Sequence, residues 1–213
     1  MFKIIRTIAL PVILSASLTA TAHNHDAASA TSAPSKAAAT QMALRDLWVD
    51  HVFWVRNVVM AKSQKNKQLE AESEKQVVAN AKSIAAAIEP FYGKAANEKL
   101  FGLLAGHYGA IKDYMNATMP KPNDSKQKAA VEKLTNNAKE IAAFLSGANP
   151  NLPQATLVGL LAAHGGHHVA QINQLQKNDF AGEVETWVAM KGHMYTIADA
   201  LTSALVKQFP DKF

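Results

Sequence analysis

Two stretches of this chain repeat each other. Leu157–Leu175 reads LVGLLAAHGGHHVAQINQL, and 57 residues earlier Leu100–Asn116 reads LFGLLAGHYGAIKDYMN. Aligned without gaps, Leu100, Gly102, Leu103, Leu104, Ala105, His107 and Gly109 fall on Leu157, Gly159, Leu160, Leu161, Ala162, His164 and Gly166. Asn80-Ala-Lys-Ser-Ile84 matches Asn137-Ala-Lys-Glu-Ile141, again 57 apart. Ile197-Ala198 follows Ile141-Ala142 by 56 residues, with His193 in the place of Asn137, and His51 stands 56 before His107. A unit of this length with two apolar stripes of helical period is a helical hairpin. Three such hairpins predict an all-α, up-and-down bundle of about six helices.

Punctuation divides the chain accordingly. The apolar periodicity predicts helices over 41–63, 68–91, 95–119, 125–146, 154–176 and 181–208, with no persistent strand-like alternation. Gly93 ends the second, Pro120-Lys-Pro122-Asn-Asp ends the third, Gly147 with Pro150 and Pro153 ends the fourth, and Asn178-Asp179 ends the fifth. The junction near Ser63–Lys67 is the least marked, so the first two segments could also form one longer helix.

Upstream, Lys3 and Arg6 head an apolar run over Ile8–Leu18, followed by Ala20-Thr21-Ala22. This is the pattern of a secretory signal peptide over 1–22, with an apolar run about half the length of a membrane span. Residues 23–40 are small and polar without aromatics, which predicts a flexible linker. The bundle domain is then 41–213, and the expected location is periplasmic or secreted. Without Lys3 and Arg6 the balance is 20 Lys/Arg against 17 Asp/Glu, too mild and too scattered to argue for nucleic acid. No second apolar run suits a membrane span. The absence of cysteine excludes thiolate ligands, iron–sulfur clusters, c-type haem attachment and any cysteine nucleophile.

Each predicted helix carries one polar residue within its apolar stripe: His51, Asn80, His107, Asn137, His164 and His193. In an up-and-down bundle, residues of equal height lie symmetrically about the turn that joins them. The midpoints of successive pairs are 65.5, 93.5, 122, 150.5 and 178.5, and every one falls on a junction placed above. The six residues therefore share one layer, to within about one helical turn of 5.4 Å. The first, third and fifth helices are apolar around much of their circumference, which predicts a central position with His51, His107 and His164 converging on the axis. Gly102, Gly106, Gly109, Gly159, Gly165 and Gly166 each cost about 1 kcal/mol against alanine. That cost suggests close backbone approach or room for a ligand.

Buried imidazoles want partners for both ring nitrogens. A divalent zinc, copper or nickel ion satisfies several at once. His168, four residues after His164, adds a ligand on the same face. His193 and His167 stand as a further ligand or, with Asn80 and Asn137, as groups holding an imidazole N–H or a bound water. The competing reading is a closed hydrogen-bond network in which the asparagines cap the histidines and fix helix register. Nothing in the pattern is specific to haem. If the signal is cut after Ala22, His23-Asn-His25 offers a free amine, backbone amides and imidazole to Cu(II) or Ni(II) in a square plane. Trp48 and Trp54 read as core, Arg56 as the partner of an acid such as Asp113 or Asp199, and the Lys/Glu-rich stretch 62–75 as a solvated surface.

The motifs W-x-x-H-V-x-W-x-R (Trp48–Arg56), N-A-K-x-I-A and L-L-x-x-H together resemble an uncharacterised family of bacterial six-helix proteins. The likeness covers most of 44–205 and implies the fold but no activity. A second resemblance, at fold level only, is to DinB-type metal-binding bundles, which include thiol-dependent transferases. It would give His51, His164 and His168 the ligand roles, although this chain has six helices rather than four, a threefold repeat and an export signal. The expected function is binding of a transition metal or small ligand through the histidine layer. The alternatives are a metal-dependent enzyme, a hydrolase or DinB-like transferase, and a structural or partner-binding bundle with an inert layer.

Overall fold

The computed structural model describes residues 33–213, and these are all-α. Six long helices, α1 (Lys36–Ser63), α2 (Lys67–Ala87), α4 (Lys94–Thr118), α5 (Asp124–Ala148), α6 (Gln154–Gln176) and α7 (Phe180–Gln208), are joined by short turns. A one-turn helix α3 (Glu89–Tyr92) follows α2, and a 3₁₀ turn over Pro210–Lys212 ends the chain. Each hairpin packs its own two helices together: α1 on α2, α4 on α5, α6 on α7. Contacts of α2 with α4, α5 with α6 and α7 with α1 close the ring, while α6 also touches α1 and α4 across it. The start of α1 meets the end of α7, where Arg45 and Gln41 both bind Asp199. Among the described residues no helix is long and apolar enough to cross a membrane.

Local chemistry accounts for the boundaries. Asn66, Asn123 and Asp179 cap α2, α5 and α7 by accepting from the backbone N–H of Leu69, Lys126 and Gly182, each at 3.0 Å. Lys65 (φ 58°), Gly93 (φ 82°) and Asn178 (φ 58°) take the left-handed conformation at three of the predicted junctions. Two boundaries differ from the periodicity. α1 begins at Lys36, not 41, because Ser35 accepts from Ala38 N and the alanine run 37–39 has the best helix propensity of any residue. The segment 68–91 is broken at Ile88, since Pro90 has no N–H for an i→i−4 bond and restarts the chain as α3.

The core is layered. Leu44, Trp48, Val52, Ile84, Leu100, Leu104, Met190, Met194 and Leu205 form one apolar cluster. Val55, Val58, Val77, Ile111, Met115, Leu134 and Ile172 form a second. Along α1 and α4, His51 and His107 lie where the first cluster gives way to the second. A third cluster, around Leu103, Ile141, Leu145, Leu157 and Leu161, packs beside the first.

Most of the helix glycines do not have the role expected of them. A Cβ at Gly102, Gly109, Gly159 or Gly166 would meet nothing, and all four are exposed. Only Gly106, facing Asn137 Nδ2 at 3.2 Å, and Gly165, facing Leu134 Cδ2 at 3.1 Å, sit at a close approach. α4 and α6 therefore keep a solvent-facing strip of glycine and alanine, despite their high apolarity.

Candidate metal centre

α1, α4 and α6 bring His51, His107, His164 and His168 together at mid-height, with relative exposures of 3%, 2%, 1% and 2%. Each offers one ligand atom, and the four atoms lie within 4.8 Å of one another. Both ring nitrogens of His51, His107 and His164, and Nε2 of His168, have no hydrogen-bond partner among the described residues. Leaving a buried polar atom unmatched costs about 1–3 kcal/mol, so this layer is an expensive place to keep imidazoles with nothing between them.

The ring spacing tests what would fit. Four imidazoles on a tetrahedral ion at about 2.0–2.1 Å place their ligating nitrogens about 3.4 Å apart and their ring centroids about 5 Å apart. Here the six centroid separations run from 4.5 to 6.3 Å. A square arrangement would show one pair of opposite separations about 1.4 times the others. The opposite pairs are 6.1 and 4.5 Å, 5.5 and 6.3 Å, and 5.9 and 5.3 Å, so none stands out as diagonals. The four rings form a slightly expanded tetrahedron, and an inward shift of about 1 Å by the side chains would close it.

Protonation favours the same use. Burial lowers the pKa of His51 to about 3, with repulsion from His107 adding to it. Burial takes His107 down to about 4, opposed by the Asn137 carboxamide beside it. His164 and His168 are held well below the ordinary histidine range, first by burial and then by the neighbouring imidazoles. All four are neutral at pH 7, so each carries a free lone pair and no proton need leave before a cation binds.

The residues expected to support the layer do so indirectly. Asn80 Nδ2 donates to Leu47 O at 3.0 Å, Asn137 Nδ2 donates to Leu103 O at 2.9 Å, and His193 Nε2 bonds Leu160 O at 2.8 Å. In each hairpin the acceptor is the leucine carbonyl four residues before the converging histidine. Asn80 and Asn137 thus hold backbone rather than an imidazole N–H, and Asn137 closes no regular hydrogen bond to His107. Their Oδ1 atoms are buried without partners. His193 is not among the converging rings: it is half-buried on the α6–α7 seam, 5.7 Å from His167, which is likewise turned away from the centre. His23 and His25 lie outside the described residues, as does the stretch 1–22 in which a signal peptide is expected.

Spacing also left a second polar cluster unseen. Arg56 pairs with neither Asp113 nor Asp199. Those acids bind Lys133 and Arg45, and Arg56, three turns further along α1 than Arg45, faces the other end of α7. There it grips Glu183 through Nε and a terminal nitrogen, both at 2.6 Å, and stacks over Trp187. Glu183 is buried and also accepts from Gln171 Nε2 at 2.9 Å. Gln171 was within sight of periodicity, being seven residues after His164 on the same stripe. Trp48 is buried as expected, edge-on to His51 at 6.1 Å, and Trp54 packs at the rim of the core. The stretch 62–75 is not merely solvated: Glu70 and Ser73 are buried, and Glu70 binds Lys62 and Lys67.

Comparison with family models, curated proteins and solved structures returned no match. The chemistry of the site carries the functional reading alone.

Proposed function

We propose that this protein binds a transition-metal ion through His51, His107, His164 and His168. The observation that carries the reading is the compact set of four buried rings, seven of whose nitrogens have no hydrogen-bond partner among the described residues. Near-tetrahedral spacing suits zinc or monovalent copper, which impose no planar geometry, better than Cu(II) or Ni(II), which favour a square plane. Four protein ligands fill the coordination sphere. A catalytic zinc keeps a position open for water, and DinB-like chemistry on His51, His164 and His168 would need the place that His107 takes. Among the described residues the buried carboxylate nearest the layer along α6, that of Glu183 on Gln171, is taken up by its ion pair with Arg56 and offers no general base. The ion is therefore held rather than used to activate a substrate, and the leader read over 1–22 would put this binding in the periplasm or outside the cell.

Metal analysis of untagged protein tests this directly. About one equivalent of zinc or copper per chain should survive dialysis, and stripped protein should regain it with a rise in Tm. A metal present at a hundredfold excess over its Kd stabilises the fold by about 2.7 kcal/mol. His107→Ala should abolish the rise. Stripped protein whose Tm ignores zinc, copper and cobalt alike would overturn the reading.

A further inference from the structure

The buried centre has no direct contact with solvent, since none of its four rings is more than 3% exposed. A hydrated ion must therefore lose its water on the way in. α6 offers a place for this. His164 and His168 point inward from it, whereas His167, between them in sequence, faces the seam with α7. There it meets His193 with ring centroids 5.7 Å apart, a separation inside the range of the four buried rings.

The orientation of His193 is set by its neighbour. A carbonyl oxygen only accepts, so the 2.8 Å bond to Leu160 O makes Nε2 the protonated nitrogen and leaves the lone pair on Nδ1. Leu160 is one turn before His164, and His167 is next to His168, so the partly exposed pair adjoins the residues of α6 that carry two of the buried rings. Both residues are half-buried, which leaves water free to complete the coordination of an ion held by two imidazoles.

Resting on the metal-binding reading above, we infer that His167 and His193 form a second, solvent-side site for a hydrated divalent transition-metal ion, from which the buried centre is loaded. The pair exchanges part of the ion's hydration shell for imidazole, and the α6–α7 seam then passes the ion to His164 and His168.

Cobalt(II) is the probe, because a four-coordinate tetrahedral ion absorbs intensely in the visible and a hydrated six-coordinate one only weakly. The variant is His167→Gln with His193→Gln, which removes both imidazoles and keeps a donor for Leu160 O. Wild-type protein should show intense bands from the buried centre and one further equivalent that binds without them. The double variant should lose that further equivalent and reach the same final bands at least tenfold more slowly. Any contribution from His23 and His25 is common to both proteins and cancels in the difference. Wild-type stoichiometry or wild-type loading rate in the variant overturns the inference. Failure of the underlying reading looks different: no intense bands in wild-type protein, which removes the destination and overturns the relay with it.

Discussion

Two buried polar clusters lie about one turn apart along α6, and they treat their polar atoms in opposite ways. Around Glu183, both carboxylate oxygens are matched by the Arg56 fork, and Gln171 adds a third donor. Around His164, every ring nitrogen of three histidines is unmatched. The same fold evidently can satisfy a buried charge completely, so the bare lone pairs are not a limit of its architecture. The arginine cluster is finished by the chain itself. The histidine cluster is left open, and its geometry is compatible with an ion as the last partner.

Acid should separate the two most strongly. An unfolded histidine takes up a proton below about pH 6.5, whereas His51 and His107 resist until about 3 and 4, and His164 and His168 also remain neutral. The unfolded state then binds more protons than the native one, so stability falls as pH drops below 6.5 and is flat above it. Each such group contributes about 1.4 kcal/mol per pH unit, or roughly 5.5 for four together. Denaturant titrations of metal-free protein between pH 7 and 4 should show this slope, and saturating zinc should move the acid midpoint lower. A pH-independent stability across that window would mean the imidazoles are not neutral and buried together.

Substitution should drive the two clusters in opposite directions. Arg56→Ala leaves Glu183 buried without its partner and should cost about 3–5 kcal/mol. His107→Leu removes two unmatched nitrogens and should raise the stability of metal-free protein by about 1–3 kcal/mol, while abolishing its response to zinc. Equal losses in both variants, measured by thermal unfolding without metal, would erase the distinction. The smallest effect belongs to neither cluster. Gly109→Ala, on the open strip of α4, should stabilise by about 1 kcal/mol and leave cobalt spectra unchanged.

Helix number, the turns and the common height of the polar residues follow from periodicity and from Gly, Pro and Asn, because those features act locally. What spacing could not supply was direction around each helix. His193 has the right height and the wrong azimuth, while His168, recognisable only by its four-residue offset from His164, completes the tetrahedron. Arg56 shows a related failure. A long side chain chooses among acids on a neighbouring helix, and that choice depends on which ends of the helices face each other. The glycines misled for another reason: sequence records their cost but not whether anything fills the space they leave.

The leucine carbonyls that accept from Asn80, Asn137 and His193 have a mechanical consequence. Each is a pin through one hairpin, and the three pins lie near the same height. Sliding an outer helix along its inner partner by a single residue, about 1.5 Å, would shear its pin. The ends of the bundle can fray without disturbing the pins, but the waist cannot change its register. On the metal-binding reading, the rings would swivel on a stationary frame to take up an ion, as jaws close on a fixed chuck.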